Sequence, residues 1–279
     1  MKELAIIIPA RYDSKRLLGK PLIKINGKEM LAYVWEIAQH VVCKDVKIYN
    51  YVATEDDRIM QFCKANGIDC IMTSKKCKTG SDRVLEAALK LEEMGYNPSF
   101  VINLQGDNPL CPWWFLTELI EEYLIDRDIE IVTPIIQLSW QALDELRRNK
   151  IKSPFSGTCV TFDKHFNALY FSKNIIPSIR NETFFREKNK MSPIYKQTGI
   201  YGYKISTLKK INSLQEGVFE SFESLEQLRF LENGIHIKCK IVNYRKFQEL
   251  MSFSGVDDIE DLKRVQNYLK TEGNIYERD

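Results

Sequence analysis

The 279-residue chain contains a cationic segment, residues 9–21, that could bind polyphosphate. The segment contains four cationic residues and one carboxylate. It directly follows an apolar run, residues 4–9, that predicts a β-strand. Guanidinium and ammonium groups at such a position can neutralise phosphate oxygens that gain charge as pyrophosphate leaves. The segment matches neither the P-loop nor the dinucleotide-binding fingerprint. Polyphosphate binding and a solvated basic loop are therefore both open interpretations.

A carboxylate follows a second apolar run, residues 100–104. Gly106 permits a tight backbone and Pro109 prevents the strand from continuing, so Asp107 is placed at the strand end. Carboxylate oxygens are ligands that Mg²⁺ prefers. The alternative is an aspartate that bonds only to its own turn.

Two predicted helix starts also carry polar groups. Asp257 and Glu260 have the spacing of a capping box, although a capping carboxylate can also offer an oxygen to a cation. Residues 77–83 open another helix with Gly80 and Ser81, where free amides can bind a base or an anion. Capping by Ser81 is the alternative there.

The elements around these segments predict a doubly wound α/β fold with a mostly parallel sheet. Strand-like runs at 4–9, 47–53, 69–73 and 100–104 alternate with amphipathic runs at 30–41, 55–65 and 81–94. Such sheets bind ligands beyond the carboxyl ends of their strands. The loops that follow the strands are therefore where we expect the chemistry.

The pattern changes in the second half of the chain. Residues 137–203 are richer in short strands and include a charged stretch, 180–190, that predicts a mobile loop. We interpret residues 1–136 as an α/β part and 137–203 as a strand-rich insertion. Residues 204–279, with a helix at 222–232, a strand at 235–244 and a helix at 258–271, complete one composite domain.

Composition excludes several classes of protein. Lys plus Arg number 40 against 38 Asp plus Glu, so a nucleic-acid binder with a basic face is disfavoured. No apolar run is long enough to cross a membrane, and no signal peptide is recognisable. Seven cysteines without a C-x-x-C pair predict reduced thiols in a cytoplasmic protein. Three scattered histidines give little support to a zinc site or a Ser-His-Asp hydrolase.

Taken in order, the motifs resemble those of the CMP-KDO synthetases, the 3-deoxy-manno-octulosonate cytidylyltransferases. The resemblance spans nearly the whole chain and rests on IIPARYDSKRLLGKPL, VATEDD, KTGSDR, VINLQGDNPL, LYFSKNIIP, GIYGY, SLEQLRFLENG and GVDDIEDLKRV. It implies a nucleotide-diphospho-sugar transferase-like fold. It also implies transfer of CMP from CTP to the anomeric hydroxyl of an acidic 3-deoxy sugar, with release of pyrophosphate, for lipopolysaccharide or capsule synthesis.

The resemblance also implies site residues. Asp107 and Asp257 would bind Mg²⁺ and act in catalysis together with Arg11 and Lys20. The nucleotide would contact Arg11, Lys20 and Asp107 as well as Ala10, Arg16, Thr79, Gly80, Ser81 and Arg83. The acceptor sugar would contact Gln105, Lys173, Gln197, Tyr201, Glu226 and Gln227. A homodimer is implied, with apolar contacts from Phe155, Phe166, Phe184 and Phe185, although these side chains could equally pack within the domain or cover the sugar site.

The chain departs from the family pattern in its sugar-binding half. Lys173 replaces an arginine, Ser178 a tryptophan and Gln197 a histidine. Lysine cannot bind a carboxylate in the bidentate way that arginine does, and glutamine cannot carry the charge that histidine can. Two alternatives are therefore open: a cytidylyltransferase for another ulosonate or a phosphonate, and a non-catalytic nucleotide-sugar binding protein.

Overall fold

The computed structural model describes residues 2–13, 17–245, 247, 250–251 and 255–273. The chain forms two compact units. The first unit comprises residues 1–121, 201–212 and 255–279, and the second comprises residues 122–200 and 213–254. The predicted boundaries at residues 136 and 203 stay predictions.

The first unit contains a mostly parallel sheet. Its strands are β1 (Lys2–Pro9), β4 (Val46–Thr54), β5 (Cys70–Met72), β6 (Phe100–Asn103) and β11 (Tyr201–Lys204), in the order β5-β4-β1-β6-β11. β4 and β6 flank β1 in parallel, with Ile6 opposite both Asn50 and Ile102, whereas β11 runs antiparallel to β6. β1 is buried from Leu4 to Ile8 on both faces, as expected for a central parallel strand.

Helices join and cover these strands. They are α1 (Met30–Gln39), α2 (Asp57–Ala65), α3 (Gly80–Glu93), α7 (Ile205–Asn212) and α10 (Ile259–Glu272). A 3-10 helix (Lys20–Leu22) and the small hairpin β2 (Lys24–Ile25) and β3 (Lys28–Glu29) lie between β1 and α1. α4 (Trp113–Ile125) continues into the second unit. The predicted α/β class with a mostly parallel sheet is confirmed.

The second unit contains the predicted strand-rich part. β7 (Ile131–Ser139), β8 (Thr158–Phe162), β9 (Ala168–Ser172), β10 (Met191–Gln197) and β12 (Ile237–Ile241) are ordered β12-β7-β10-β8-β9. β12 runs parallel to β7, and the other pairings are antiparallel. β12, at residues 237–241, thus joins strands from residues 131–197 in one sheet.

Helices of the second unit correct two predictions. α5 (Trp140–Lys152) is followed by α6 (Glu182–Lys188) within the stretch predicted to be a mobile loop. α6 is fixed by ion pairs to α5: Arg147 Nη2 lies 2.7 Å from Glu182, and Arg186 Nη2 lies 2.6 Å from Asp144. The predicted helix 222–232 is two helices, α8 (Val218–Glu223) and α9 (Gln227–Glu232), because Ser224 adopts a left-handed backbone with φ +52°.

Two further observations concern the whole described chain. No helix in these ranges is long and apolar enough to pass through a lipid bilayer. All seven cysteines lie in the described ranges and are free thiols.

Candidate active site

A cavity of about 470 Å³ lies at the carboxyl ends of β1 and β6, where the fold predicts a ligand. All of its lining residues belong to the first unit. They are Pro9, Ala10, Arg11, Asp13, Lys20, Pro21, Thr79, Gly80, Arg83, Gln105, Gly106 and Asp107. The cavity therefore joins the cationic segment, the start of α3 and the turn after β6, as the motifs predict.

Lys20 is the central cation of this site. Its Nζ donates to Asp107 Oδ2 at 2.6 Å and to the Val256 carbonyl oxygen at 2.8 Å. The same Nζ lies 3.6 Å from Asp257 Oδ1. The Lys20 side chain is 13% exposed, whereas those of Asp107 and Asp257 are 34% and 48% exposed, so the ammonium is shielded and both carboxylates stay accessible to a ligand. Two carboxylates that are far apart in the sequence thus share one ammonium group.

The backbone near Asp257 is tied to the turn that carries Asp107. The Val256 N–H donates to the Asp107 carbonyl oxygen at 2.9 Å. Gly255 has φ +101°, and a Cβ atom there would lie 3.2 Å from that oxygen. Gly106 has a still closer neighbour, since a Cβ there would lie 2.9 Å from the Pro9 carbonyl oxygen. Glycine is required at both positions for these segments to meet.

The helix cap of α10 corrects a prediction about Asp257. Asp258 is the N-cap, and its Oδ1 accepts hydrogen bonds from the N–H groups of Glu260 and Asp261 at 2.8 and 2.9 Å. The Asp257 N–H donates to Asp261 Oδ2 at 3.0 Å. Because Asp258 satisfies the helix terminus, the Asp257 carboxylate is directed toward Lys20 instead.

The start of α3 is also capped by a different residue than predicted. Thr79 and Asp82 form a capping box, with Thr79 Oγ1 accepting from the Asp82 N–H at 3.1 Å. Ser81 is buried, lies outside the cavity lining, and its Oγ is 2.9 Å from Thr79 Oγ1. Ser81 thus supports Thr79, whereas Thr79 and Gly80 face the cavity.

Arg83 lines the cavity although its side chain is 4% exposed. Its Nη1 lies 2.6 Å from Glu55 Oε2 and donates to Thr73 Oγ1 at 2.5 Å. An arginine with a carboxylate partner keeps its charge and a fixed orientation when it is buried. Glu55 is not among the predicted site residues, although the VATEDD motif that contains it is a possible signal.

The loop before α3 is anchored to that helix by Glu86. Its carboxylate accepts from the Ser74 N–H at 2.8 Å and from Cys77 Sγ at 3.2 Å. Burial, with a further contribution from the bond to Glu86, raises the pKa of the Cys77 thiol to about 11. Cys77 therefore stays protonated near neutral pH and has a structural role beside the cavity.

The predicted sugar-binding residues are divided between the units. Gln105 lines the cavity and donates to Asn103 Oδ1 at 3.1 Å. Tyr201 lies outside the cavity lining and opposite Asn103 in the sheet. The others belong to the second unit: Lys173, Gln197, Glu226 and Gln227. Arg16, predicted to contact nucleotide, lies outside the described residues.

Those second-unit side chains have partners within their own unit. Gln197 donates from Nε2 to Thr133 Oγ1 at 3.1 Å. Lys173 Nζ donates to Thr158 Oγ1 at 3.2 Å, and its backbone N–H donates to Glu223 Oε2 at 2.7 Å. Gln227 is buried at the start of α9, and Glu226 Oε1 lies 3.7 Å from Arg229 Nη2. Their roles in sugar binding stay predictions.

The first unit is an α/β fold with cations and carboxylates in a cavity at the carboxyl edge of its sheet, an arrangement suited to binding a phosphorylated ligand. A family model described as cytidylyltransferase matches residues 5–241. The 3-deoxy-manno-octulosonate cytidylyltransferase of Maricaulis maris is 39% identical over 269 residues, covering 96% of this chain and 98% of the relative. That of Thermodesulfovibrio yellowstonii is 38% identical, covering 95% and 97%.

Solved structures agree with these sequence relatives. A CMP:2-keto-3-deoxy-manno-octonic acid synthetase complexed with CTP is 33% identical, with a TM-score of 0.79 and coverage of 98% of this chain and 100% of the other. A cytidylyltransferase from Leptospira borgpetersenii, 17% identical with a TM-score of 0.58, shares the fold. The chain belongs to the 3-deoxy-manno-octulosonate cytidylyltransferase family, and the predicted resemblance is confirmed.

Proposed function

We propose that this chain transfers CMP from CTP to the anomeric hydroxyl of KDO and releases pyrophosphate. The observation that carries the proposal is that Lys20 and Asp107 line the cavity in contact with each other, and that Asp257 lies beside the same Lys20 ammonium. The names of the relatives support KDO as the acceptor, and the related structure complexed with CTP supports the donor.

We assign residues of the first unit to different parts of CTP. Arg11 and Lys20 present cations to the triphosphate and stabilise the charge that develops on pyrophosphate as it leaves. Thr79, Gly80 and Arg83 line the part of the cavity formed by α3, and we assign them to the cytidine. Positioning and charge neutralisation account for most of the catalysis in phosphoryl-type transfer.

We propose Mg²⁺ as the cofactor, held by Asp107 and Asp257. Their oxygens are hard donors, and the common contact with the Lys20 ammonium indicates that both can face one positive charge. Within the described ranges, no cluster of three or more His, Cys, Asp or Glu could hold a metal ion. Bound Mg²⁺ would screen the phosphate and lower the pKa of the attacking hydroxyl.

The acceptor deserves a direct test because Lys173, Ser178 and Gln197 depart from the family pattern. Pyrophosphate release is measured with Mg²⁺ and each of CTP, UTP, ATP and GTP, using KDO, sialic acid, other ulosonates and small phosphonates as acceptors. We expect release with CTP and KDO. Release with CTP and only another acid would assign the chain a different acceptor, and CTP binding without turnover would indicate a binding protein.

Carboxylate variants test the site itself. We expect Asp107→Asn and Asp257→Asn each to lower kcat/KM by about 100-fold or more, the scale for loss of a group that stabilises transition-state charge. Glu93→Gln, which removes an exposed carboxylate near the end of α3, is the control. Wild-type turnover by Asp107→Asn would contradict the assignment. Activity that is equal with and without added Mg²⁺, after chelation, would contradict the cofactor.

We also infer a homodimer through the second unit. The notable aromatic side chains here are Phe155, Phe166, Phe184 and Phe185, which are 75%, 40%, 50% and 40% exposed and are therefore accessible to a second copy of the chain. Sedimentation equilibrium at micromolar concentration should give twice the chain mass of 32.6 kDa, and a monomer would contradict the inference. A cytoplasmic location and a role in lipopolysaccharide or capsule synthesis stay predictions.

A further inference from the structure

The two cations assigned to the triphosphate flank a pair of residues, Tyr12 and Gly19, that are joined by a backbone hydrogen bond. We call this pair the neck. The Gly19 N–H donates to the Tyr12 carbonyl oxygen at 2.8 Å. Arg11 immediately precedes the neck and Lys20 immediately follows it. The position of this neck therefore sets where both cations emerge from the backbone.

The side chain of Tyr12 packs on its partner in the neck. Gly19 has φ +66°, and a Cβ atom at Gly19 would lie 3.0–3.1 Å from three atoms at the hydroxyl end of the Tyr12 side chain. The Arg58 guanidinium carbon lies 3.2 Å from the centroid of the same ring. A guanidinium at this distance is attracted by the ring quadrupole. The ring thus connects the neck to the first turn of α2.

Arg58 is itself held by Asp56. The guanidinium donates from Nε to Asp56 Oδ1 at 2.9 Å and from Nη2 to Asp56 Oδ2 at 2.7 Å, a two-point contact. Asp56 Oδ1 also accepts from the Arg58 N–H at 2.9 Å, which makes Asp56 the N-cap of α2. These hydrogen bonds lower the pKa of the Asp56 carboxyl, and the bond from the Arg58 side chain has the largest effect.

Asp56 is fixed relative to β1 through the sheet. It follows β4, whose residue Ala53 lies opposite Pro9 at the end of β1. The Asp56 N–H donates to Thr54 Oγ1 at 3.2 Å. The contacts from Asp56 to Arg58, from Arg58 to Tyr12 and from Tyr12 to Gly19 therefore join the cationic segment to the strand beside it.

We propose that Asp56, Arg58 and Tyr12 are positioning residues that hold the neck so that Arg11 and Lys20 face the triphosphate of CTP. This inference rests on the proposed function. It also gives a role to the acidic pair of the VATEDD motif, since Glu55 contacts Arg83 and Asp56 contacts Arg58. Small displacements of charged groups are costly in phosphoryl-type transfer, which depends on positioning.

Calorimetric binding of CTP tests the proposal without requiring turnover. We expect Arg58→Ala to weaken CTP binding about 3- to 10-fold, from the loss of one guanidinium–ring contact and the ordering it provides. Tyr12→Ala should have at least that effect, and Tyr12→Phe, which keeps the ring, should bind like the wild type. Lys64→Ala removes another cation from α2 and is the matched control.

A double variant separates positioning from general weakening. If Arg58 acts through the Tyr12 ring, the Arg58→Ala/Tyr12→Ala variant binds CTP no more weakly than Tyr12→Ala alone. Arg58→Lys should recover part of the affinity, because a lysine keeps the cation but not the two-point contact with Asp56. In steady-state assays the KM for CTP should rise while the KM for the acceptor stays unchanged.

Three outcomes would overturn the proposal: unchanged CTP affinity in Arg58→Ala, additive losses in the double variant, or a Tyr12→Phe variant as weak as Tyr12→Ala. Normal CTP binding by the wild type without turnover on any acceptor would contradict the proposed function and leave the positioning test intact. Failure of the wild type to bind CTP would contradict both.

Discussion

Replacing Gly255 with alanine should separate the two carboxylates of the site. At φ +101° the backbone lies where L-residues are strained. The new Cβ would also lie 3.2 Å from the Asp107 carbonyl oxygen, which accepts the Val256 N–H. The variant can relax by moving residues 255–257 away from the turn, and this movement would carry Asp257 away from Lys20.

The size of the effect follows from these two contributions. A non-glycine residue in this backbone region costs about 1–3 kcal/mol. Weakening the bond between Val256 and Asp107 adds roughly 0.5–1.5 kcal/mol. We take about 2 kcal/mol as the cost of restoring the arrangement in which Asp257 lies beside Lys20. Because each 1.36 kcal/mol is a factor of ten, kcat/KM for CTP then falls about 30-fold.

Gly27→Ala is the matched control. Gly27 has φ +92°, close to that of Gly255, but a Cβ atom there would meet nothing within 4 Å. Both variants should lose stability in urea unfolding, whereas only Gly255→Ala should lose kcat/KM in a pyrophosphate-release assay. Wild-type kinetics in Gly255→Ala, or an equal kinetic loss in Gly27→Ala, would refute the argument that contact with Asp107 requires this glycine.

Three other variants test named contacts. Glu55→Gln removes the charge that faces buried Arg83, so we expect urea unfolding to show a loss of roughly 3 kcal/mol and the KM for CTP to rise. Lys150 Nζ lies within 2.5–3.4 Å of four backbone carbonyl oxygens, which share its three N–H donors, so Lys150→Met should lower the unfolding free energy by about 2–3 kcal/mol, again by urea titration. The hydrogen bond from Arg147 is the largest cause that lowers the pKa of Glu182 from 4.5 to about 2, so its stabilisation is present above pH 4.5 and is lost as the pH falls toward 2. Glu182→Gln should therefore flatten the dependence of unfolding free energy on pH between 5 and 2, and an unchanged slope would contradict this assignment.

Elements with a strong local pattern were predictable from the sequence. The runs at 4–9, 47–53, 69–73 and 100–104 correspond to β1, β4, β5 and β6. The amphipathic runs at 30–41, 55–65 and 81–94 correspond to α1, α2 and α3. Burial on both faces of a strand, or along one face of a helix, leaves a periodic signal in the sequence itself.

Elements stabilised by distant partners were not predictable. α6 has no buried residues, and ion pairs with α5 hold it, so its sequence is typical of a polar loop. The break between α8 and α9 depends on the left-handed backbone of Ser224. A serine at one position does not predict that conformation. The caps at Thr79 and Asp258 differ from the predicted ones by one or two residues, since several neighbours could fill the same role.

The sequence by itself determined the α/β class, the strand ends that carry polar groups and, through ordered motifs, the family of the chain. Only the tertiary structure decided that one ammonium group, on Lys20, contacts both Asp107 and Asp257. It also decided that Glu55 faces Arg83 and that Arg58 lies over Tyr12. Local patterns record which face of an element is buried, whereas contacts between distant residues depend on strand order and register, which no local pattern contains.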